Sequence, residues 1–145
     1  LREDGSAAVS DFGIARALAS STRSRTASVI GTPMYMAPEQ WTSGDLDGRL
    51  DQYSLGIVFY EMLTGSTPFQ GGSLEAIYIH HRETPLPALP ASLQVPSSVN
   101  LVIVRATEKI PDDRYPITGV MADELETELS RSSTAGAKRL RRWVS

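Results

Sequence analysis

The sequence predicts a mainly α-helical fold that opens with a short β-hairpin. Two observations favour helices: residues 51–64 are apolar on almost every side, and residues 116–130 repeat apolar side chains at helical spacing. A third observation predicts the hairpin, because the turn signal Glu-Asp-Gly-Ser at residues 3–6 precedes the short apolar run 7–9. A chain of 145 residues is long enough for one domain with a modest core.

The segment 51–64 is the strongest structural signal in the chain. A helix that is apolar on all sides is typical of the centre of a domain. Gly65 suits the end of such a helix, and Pro68 follows where a helix cannot continue. A buried strand is the alternative, but the segment is long for a strand.

Three further helices are predicted, over residues 73–82, 97–108 and 116–130, the last beginning at Pro116. The stretch 84–96 contains four prolines and predicts an extended connector. The polar run His-His-Arg-Glu at 80–83 closes the first of these helices, and we interpret it as a surface helix end. Adjacent histidines on a helix point apart, so they are poor ligands for one metal ion.

Composition excludes several classes of protein. The chain has no cysteine, which excludes a disulfide scaffold and a cysteine metal site. The hydrophobic fraction of 41% argues against wholesale disorder. No apolar run has the length of a membrane span.

Charge is distributed unevenly along the chain. Residues 131–145 carry five basic side chains and no acidic one, which is a charge of +5. Since the net charge of the whole chain is −3, the other residues together carry a charge of −8. We therefore predict a domain at 1–130 and a basic tail or juxtamembrane-like linker at 131–145. The acidic domain argues against a nucleic-acid partner.

Asp11-Phe12-Gly13 follows the predicted hairpin. A carboxylate at the end of a strand can hold Mg²⁺, which bridges nucleotide phosphates, and glycine permits backbone angles that other residues avoid. Alone, this tripeptide is also an ordinary turn. It is followed by an exposed loop rich in Ser, Thr and Arg at 16–31, and then by Ala-Pro-Glu, which ends at Glu39.

This order of motifs resembles the activation segment of protein kinases. The similarity to bacterial, receptor-like serine/threonine kinases is carried by four stretches: DFGIAR at 11–16, GTPMYMAPEQ at 31–40, DQYSLG at 51–56 and KIPDDRY at 109–115. The resemblance implies an α+β parent fold, with an activation segment at 11–39 and C-lobe helices to about residue 130. This chain would then be the mainly α C-lobe together with the short hairpin.

The resemblance implies roles for residues on the nucleotide side and in the loop. Asp11 is expected to ligate Mg²⁺, and Asp11, Phe12 and Gly13 together are expected to serve ATP binding. Ser24 and Thr26 align with activating phosphorylation sites, where a phosphate adds negative charge that can order a loop against arginines. The alternative for the loop is a solvated polar segment.

The resemblance also implies structural roles. Glu39 is expected to pair with Arg114 as a buried ion pair; the alternative is two unrelated surface charges. Asp51 is expected to start the central helix and to bind the backbone of the catalytic loop, or to act only as a charge at a helix N-terminus. Thr32 is expected to support the substrate-facing loop, or simply to precede the turn at Pro33.

Phosphoryl transfer also requires a glycine-rich loop, a strand lysine, and an Asp and an Asn of the catalytic loop. The 145 residues contain none of these motifs, and the resemblance implies that the catalytic Asp lies upstream of Leu1. We therefore expect a fragment of a serine/threonine kinase that is inactive as given, with ATP and Mg²⁺ used by the complete kinase. The alternative is a non-catalytic, kinase-like binding module or phosphoacceptor.

The same resemblance implies partners and a location. The expected partners are protein substrates, the missing N-lobe and catalytic loop, and either a second copy in a homodimer or a kinase that phosphorylates the chain in trans. The expected location is cytoplasmic, with membrane attachment only through residues outside this chain; a soluble disordered tail is the alternative. Because the absent lobe covers apolar surface, we expect marginal folding in isolation.

Overall fold

The computed structural model describes residues 32–42 and 46–131, and within them it is helical, without strands. The mainly α prediction is confirmed for this part, whereas the predicted hairpin at 1–9 lies outside it. The four α-helices are α1 (Arg49–Thr64), α2 (Leu74–Glu83), α3 (Ser97–Ala106) and α4 (Thr118–Arg131). Short 3₁₀ turns occupy Thr32–Tyr35, Pro38–Trp41, Ala91–Leu93 and Pro111–Asp113.

Helix α1 is the central element. It begins two residues before the predicted start, and it ends where Gly65 adopts φ 86° and donates its N–H to the Glu61 carbonyl at 2.7 Å. A left-handed glycine is the common way to end a helix. The helix is not buried on every side, because Leu55 is 37% exposed while the polar Gln52 is fully buried.

The larger core lies where α1, α3 and α4 meet. Its buried members are Leu63, Val99, Val102, Ile103, Ala106, Tyr115, Met121, Leu125 and Leu129. The proline-rich connector covers one side of this core with partly buried side chains at Leu86, Leu89, Leu93 and Val95. The connector is therefore packed along its length.

A second core joins α1 to the segment that precedes it. Ala37, Tyr53, Ile57 and Phe69 are buried together, and both 3₁₀ turns of residues 32–41 pack on α2. This arrangement places residues 32–41 across the side of α1 and beside α2.

Helix ends differ from the predictions by a few residues. Helix α3 ends at Ala106 rather than at 108, and the hydroxyl of Thr107 donates to the carbonyls of Ile103 and Val104, both at 3.0 Å. Helix α4 begins at Thr118 rather than at Pro116. Among residues 32–42 and 46–131, no helix combines the length and apolar character that a bilayer crossing requires.

Candidate functional site

Arg114 and Glu39 form a two-pronged ion pair although they are far apart in sequence. Nη1 of Arg114 donates to Oε1 of Glu39 at 2.7 Å, and Nη2 donates to Oε2 at 2.9 Å. The Arg114 side chain is 0% exposed and that of Glu39 is 14% exposed. The structure therefore brings together the two residues that the motifs predicted to pair.

The rest of the guanidinium binds backbone carbonyls. Nε donates to Glu108 at 2.8 Å, Nη1 to Arg49 at 2.9 Å and Nη2 to Lys109 at 3.4 Å. These bonds and the two to Glu39 use all five N–H donors of the side chain. Arg114 thus joins the start of α1, the stretch that follows α3, and the turn that carries Glu39.

The 3₁₀ turn Thr32–Tyr35 is held on α1 by side-chain hydrogen bonds. Oγ of Ser54 donates to the Tyr35 carbonyl at 2.8 Å, and the Tyr35 hydroxyl donates to Oε2 of Glu61 at 2.7 Å. The bond to the Glu61 carboxylate, with burial and the nearby charge, raises the pKa of Tyr35 to about 12. Both the backbone and the side chain of Tyr35 therefore hold the turn on α1.

The following turn, Pro38–Trp41, is held on α2 and by its own side chains. The indole of Trp41 lies 5.2 Å from the ring of Tyr78, centroid to centroid. Oε1 of Gln40 accepts the backbone N–H of Ala37 at 2.8 Å. Together with the Glu39–Arg114 pair, these contacts fix residues 37–41 on the helices.

A cluster of aromatic and basic groups lies behind the ion pair. The Tyr53 hydroxyl is 2.9 Å from Nδ1 of His81, and Nζ of Lys109 donates to the same hydroxyl at 3.4 Å. Nζ of Lys109 also lies 4.5 Å from the centroid of the Phe69 ring, while Cζ of Arg114 lies 5.0 Å from that of Tyr53. Cations above aromatic faces are attracted by the ring quadrupole.

Burial shifts the titration of these groups. It lowers the pKa of His81 to about 4, with a further lowering by the charge of Lys109. Burial also lowers the pKa of Lys109 to about 8 and raises that of Tyr53. The interpretation of 80–83 as a surface helix end was wrong for His81, which is completely buried because it follows Ile77 by one helical turn on the face that meets Phe69.

Sequence reasoning also missed the role of Gln52. Its amide Nε2 donates to the Tyr115 carbonyl at 3.0 Å, and its Oε1 accepts the Tyr115 N–H at 3.2 Å. This pair of bonds fixes the residue next to Arg114 against α1. The available signal was a lone amide at the start of an otherwise apolar run.

The other predicted site residues fall into two groups. Asp11, Phe12, Gly13, Ser24 and Thr26 lie outside the described residues, so their assigned roles stay predictions. Thr32 begins the first 3₁₀ turn, and Asp51 lies exposed in the first turn of α1. In the part of the chain that the structure covers, no three His, Asp or Glu side chains are grouped as a metal site, so the Mg²⁺ prediction depends on Asp11.

Known proteins are similar in sequence to this chain. The model of the family "Protein kinase domain" matches residues 1–125. Serine/threonine-protein kinase PknB of Mycolicibacterium smegmatis is 46% identical over 120 residues, which are 81% of this chain and 19% of that protein. Probable serine/threonine-protein kinase CPE1738 of Clostridium perfringens is 42% identical over 125 residues, which are 86% of this chain and 18% of that protein.

A third relative shows the same pattern at lower identity. Serine/threonine-protein kinase PknL of Mycobacterium tuberculosis is 36% identical over 127 residues, which are 87% of this chain and 32% of that protein. The chain thus spans a third or less of the length of each of these relatives. With its activation-segment motifs in order and the Glu39–Arg114 pair formed, the chain belongs to the protein kinase domain family.

Proposed function

We propose that this chain is the C-terminal part of the catalytic domain of a serine/threonine protein kinase. The observation that supports this most strongly is the Glu39–Arg114 pair, which connects the end of the activation segment to the helices of the domain. The kinase relatives and the family match support the same proposal. Within the complete enzyme, the chain contributes the activation segment and the helices that hold it.

In this proposal, residues 32–41 form the surface that a protein substrate contacts. They are held on α1 by Ser54 and Glu61 and on α2 by Tyr78, so the outer face of the two turns is fixed in place. Thr32 opens this stretch, and its proposed role is to support the loop that a protein substrate meets. The expected substrates are serine or threonine hydroxyls of proteins.

Binding of the nucleotide is proposed to depend on residues 11–13 and on the upstream part of the domain. Bound Mg-ATP supplies the phosphoryl group, and Asp11 is the residue of this chain proposed to hold the metal ion, with Phe12 and Gly13 beside it. The catalytic Asp and Asn and the strand lysine are not among the 145 residues. We therefore propose that this polypeptide alone does not transfer phosphate.

The proposal is tested with two purified proteins: the 145-residue chain, and the same chain extended by its upstream coding sequence. Each is incubated with Mg²⁺, labelled ATP and a generic protein substrate. We expect no labelling by the short chain and labelling by the extended one that is lost in Asp11→Asn. Turnover by the short chain contradicts the proposal. So does kinase activity of the extended protein that is unchanged by Asp11→Asn.

We also propose that Ser24 and Thr26 accept phosphate from a second kinase molecule. Their setting in a loop with arginines supports this, because added phosphate pairs with guanidinium groups. Treating the short chain with an active relative and mapping the sites by mass spectrometry tests it. We expect labelling that Ser24→Ala and Thr26→Ala remove and the control Ser28→Ala does not; labelling confined to other residues contradicts it.

The proposed location is cytoplasmic, as an ATP-dependent enzyme requires. The tail 131–145 is proposed to be a linker, with contact to a membrane only through residues beyond this chain. Its five basic residues support a position near anionic lipid.

A further inference from the structure

Lys109 holds its amine against two aromatic rings. Its Nζ lies 4.5 Å from the centroid of the Phe69 ring and 5.6 Å from that of Tyr53, and it donates to the Tyr53 hydroxyl at 3.4 Å. The side chain is half-buried in the stretch between α3 and the turn Pro111–Asp113. An ammonium has three N–H donors, and within the described part of the chain its hydrogen bond is this long one to Tyr53.

The charges around this amine do not compensate for its burial. In the part of the chain that the structure describes, Lys109 forms no ion pair. The Glu39 carboxylate binds both terminal nitrogens of Arg114 instead. The guanidinium of Arg114 lies over the Tyr53 ring that Lys109 also faces. Its charge opposes the ammonium form of Lys109, whereas that of Glu108 favours it.

The remaining titratable neighbours of Lys109 are neutral at physiological pH. Burial lowers the pKa of the His81 imidazole to about 4 and raises the pKa of the Tyr53 phenol. Desolvation of the Lys109 ammonium, together with the charge of Arg114, lowers the pKa of Lys109 from its ordinary value of 10.5 to about 8. At pH 7.5, roughly a quarter of the molecules then carry the free amine, against about a thousandth for an ordinary lysine.

We propose that Lys109 is a modification site, whose free amine takes an acyl group from a small acyl phosphate. The amine is the nucleophile in such a reaction and the ammonium is not, so a site that disfavours the ammonium favours the reaction. A carboxylate partner would protect the amine as an ion pair, and Lys109 has none among the described residues. A half-buried side chain limits the donor to a small one, such as acetyl phosphate. The chain has no cysteine, so no thiol competes for the acyl group.

The modification is a single acyl transfer. The lone pair of Nζ attacks the carbonyl carbon of the acyl phosphate and forms the amide bond, while the bond between that carbon and the phosphate oxygen breaks. Phosphate leaves with the electron pair, and the proton lost by the nitrogen passes to water. The product is neutral and keeps one N–H that can donate to the Tyr53 hydroxyl. It removes a positive charge from the ring that Arg114 also faces.

Competitive labelling of the unmodified 145-residue chain tests the proposal. Acetyl phosphate is added at pH 7.5 to the folded chain and to the chain unfolded in guanidinium chloride. The remaining amines are then acetylated with a deuterated reagent, and mass spectrometry gives the reacted fraction at each site. Lys138, the other lysine of the sequence, is the internal reference. We expect the rate at Lys109 relative to Lys138 to be about tenfold higher in the folded chain, because the larger neutral fraction outweighs lower basicity and partial burial. An equal or lower relative rate overturns the proposal.

The pH dependence of the same labelling gives a sharper test. At pH 9.5 the Lys109 amine of the folded chain is almost fully neutral, and that of the unfolded chain has also begun to lose its proton. The rate advantage of the folded over the unfolded chain should therefore fall about twentyfold between pH 7.5 and pH 9.5, whatever the access of the reagent. An advantage that does not change with pH overturns the proposal.

Two further measurements are also independent of kinase activity. The Cε resonances of the two lysines are titrated by carbon-13 NMR in the unmodified chain, where Lys109 should titrate near pH 8; a midpoint near 10.5 overturns the proposal. In the variant Lys109→Arg, the fast phase of acetylation should vanish while labelling of Lys138 stays unchanged. A fast phase that persists in this variant assigns the reactive amine elsewhere and equally overturns the proposal.

Discussion

Arg114 organises its surroundings through one planar group. Its five donors meet the Glu39 carboxylate and three backbone carbonyls, which lie at the start of α1 and just after α3. A guanidinium suits this place because its donors have a fixed fork geometry that a lysine ammonium lacks. Removing the partner of a buried charge is costly, since the remaining group loses its compensation.

Arg114→Ala should therefore lower the free energy of unfolding by about 3–5 kcal/mol. Arg114→Lys should recover little of this loss, because a single ammonium cannot reach two carboxylate oxygens and three carbonyls. Urea unfolding followed by circular dichroism measures both changes. The matched control is Arg49→Ala, which removes exposed bonds to Asp47 and Asp112 and should have a much smaller effect; equal losses would refute the special role of Arg114.

The positive charge of Lys109 lowers the stability of the folded chain, because the ammonium group is partly buried. Its pKa is lowered to about 8 by burial, so between pH 8 and 10.5 the unfolded chain binds more protons than the folded one. Stability therefore rises with pH across this range. Below pH 8 the full penalty of the buried charge is present.

Lys109→Met should stabilise the chain at pH 7 by about 1 kcal/mol, after allowance for solvent screening of a half-buried cation. The advantage over the original chain should shrink between pH 8 and 10.5. Urea unfolding at pH 7.0 and pH 10 measures it. A destabilised Lys109→Met at pH 7 would show instead that the contacts with Phe69 and Tyr53 outweigh the burial of the charge.

Individual site residues differed in how far the sequence revealed them. Glu39 and Arg114 could be predicted as partners because each lies in a recognisable motif. His81 could not, since its neighbours in sequence are polar and the rings that lie against it, Tyr53 and Phe69, come from other parts of the chain. Burial of a polar side chain depends on which segments meet it, and a local pattern does not contain that information.

At the scale of elements, α1 and α3 approach each other at a glycine. A Cβ added at Gly56 would lie 2.6 Å from Cγ2 of Thr107 and 3.3 Å from Cβ of Ala106. Contacts under 3.0 Å require the neighbouring atoms to move, and the 2.6 Å contact is with Thr107, the residue that directly follows α3. The apolar pattern of residues 51–64 predicted a buried helix, but it did not reveal that its glycine is the contact point.

Gly56→Ala should therefore destabilise the fold by about 1–3 kcal/mol despite its better helix propensity. Adding Thr107→Ser removes the clashing methyl group and keeps the hydroxyl bonds to α3, so the double variant should recover part of the loss. Thermal unfolding of the two single variants and the double variant measures the coupling. Purely additive effects would contradict a steric origin.

The order and type of the helices could be predicted from periodicity, whereas their ends could not be fixed so closely. Helix α4 starts at Thr118, and Tyr115, three residues earlier, is bound to α1 through Gln52. Helix α3 stops at Ala106, and its last carbonyls are bound by the side chain of Thr107. The end of α3 thus depends on a local side-chain bond, and the residue before α4 is held by a tertiary one; helical periodicity indicates neither.

At the scale of the whole molecule, apolar side chains remain on the surface. Leu101 is 64% exposed, Ile117 63% and Ile110 60%. Large exposed apolar residues favour association with partners or aggregation. The expectation that an absent lobe leaves apolar surface of the central helix uncovered, and that folding in isolation is marginal, stays a prediction.

The 145-residue chain should therefore unfold over a broad temperature range and bind a hydrophobic dye before it unfolds. Adding the upstream half of the domain in trans should sharpen the transition and reduce dye binding, because binding to the folded form stabilises it. Circular dichroism and dye fluorescence follow the two effects. A sharp transition of the short chain, with no dye bound, would show that it folds well without a partner.

The saturated guanidinium of Arg114 has a consequence for how the molecule opens. Because a single side chain bonds to three segments, none of them can detach without leaving N–H donors of Arg114, or the groups that they bind, unpaired. The turn of Glu39, the first turn of α1 and the stretch 108–115 should then come apart as one cooperative unit. Partial states in which only the activation segment leaves would have to break before Glu39, at the turn that Tyr35 holds on α1.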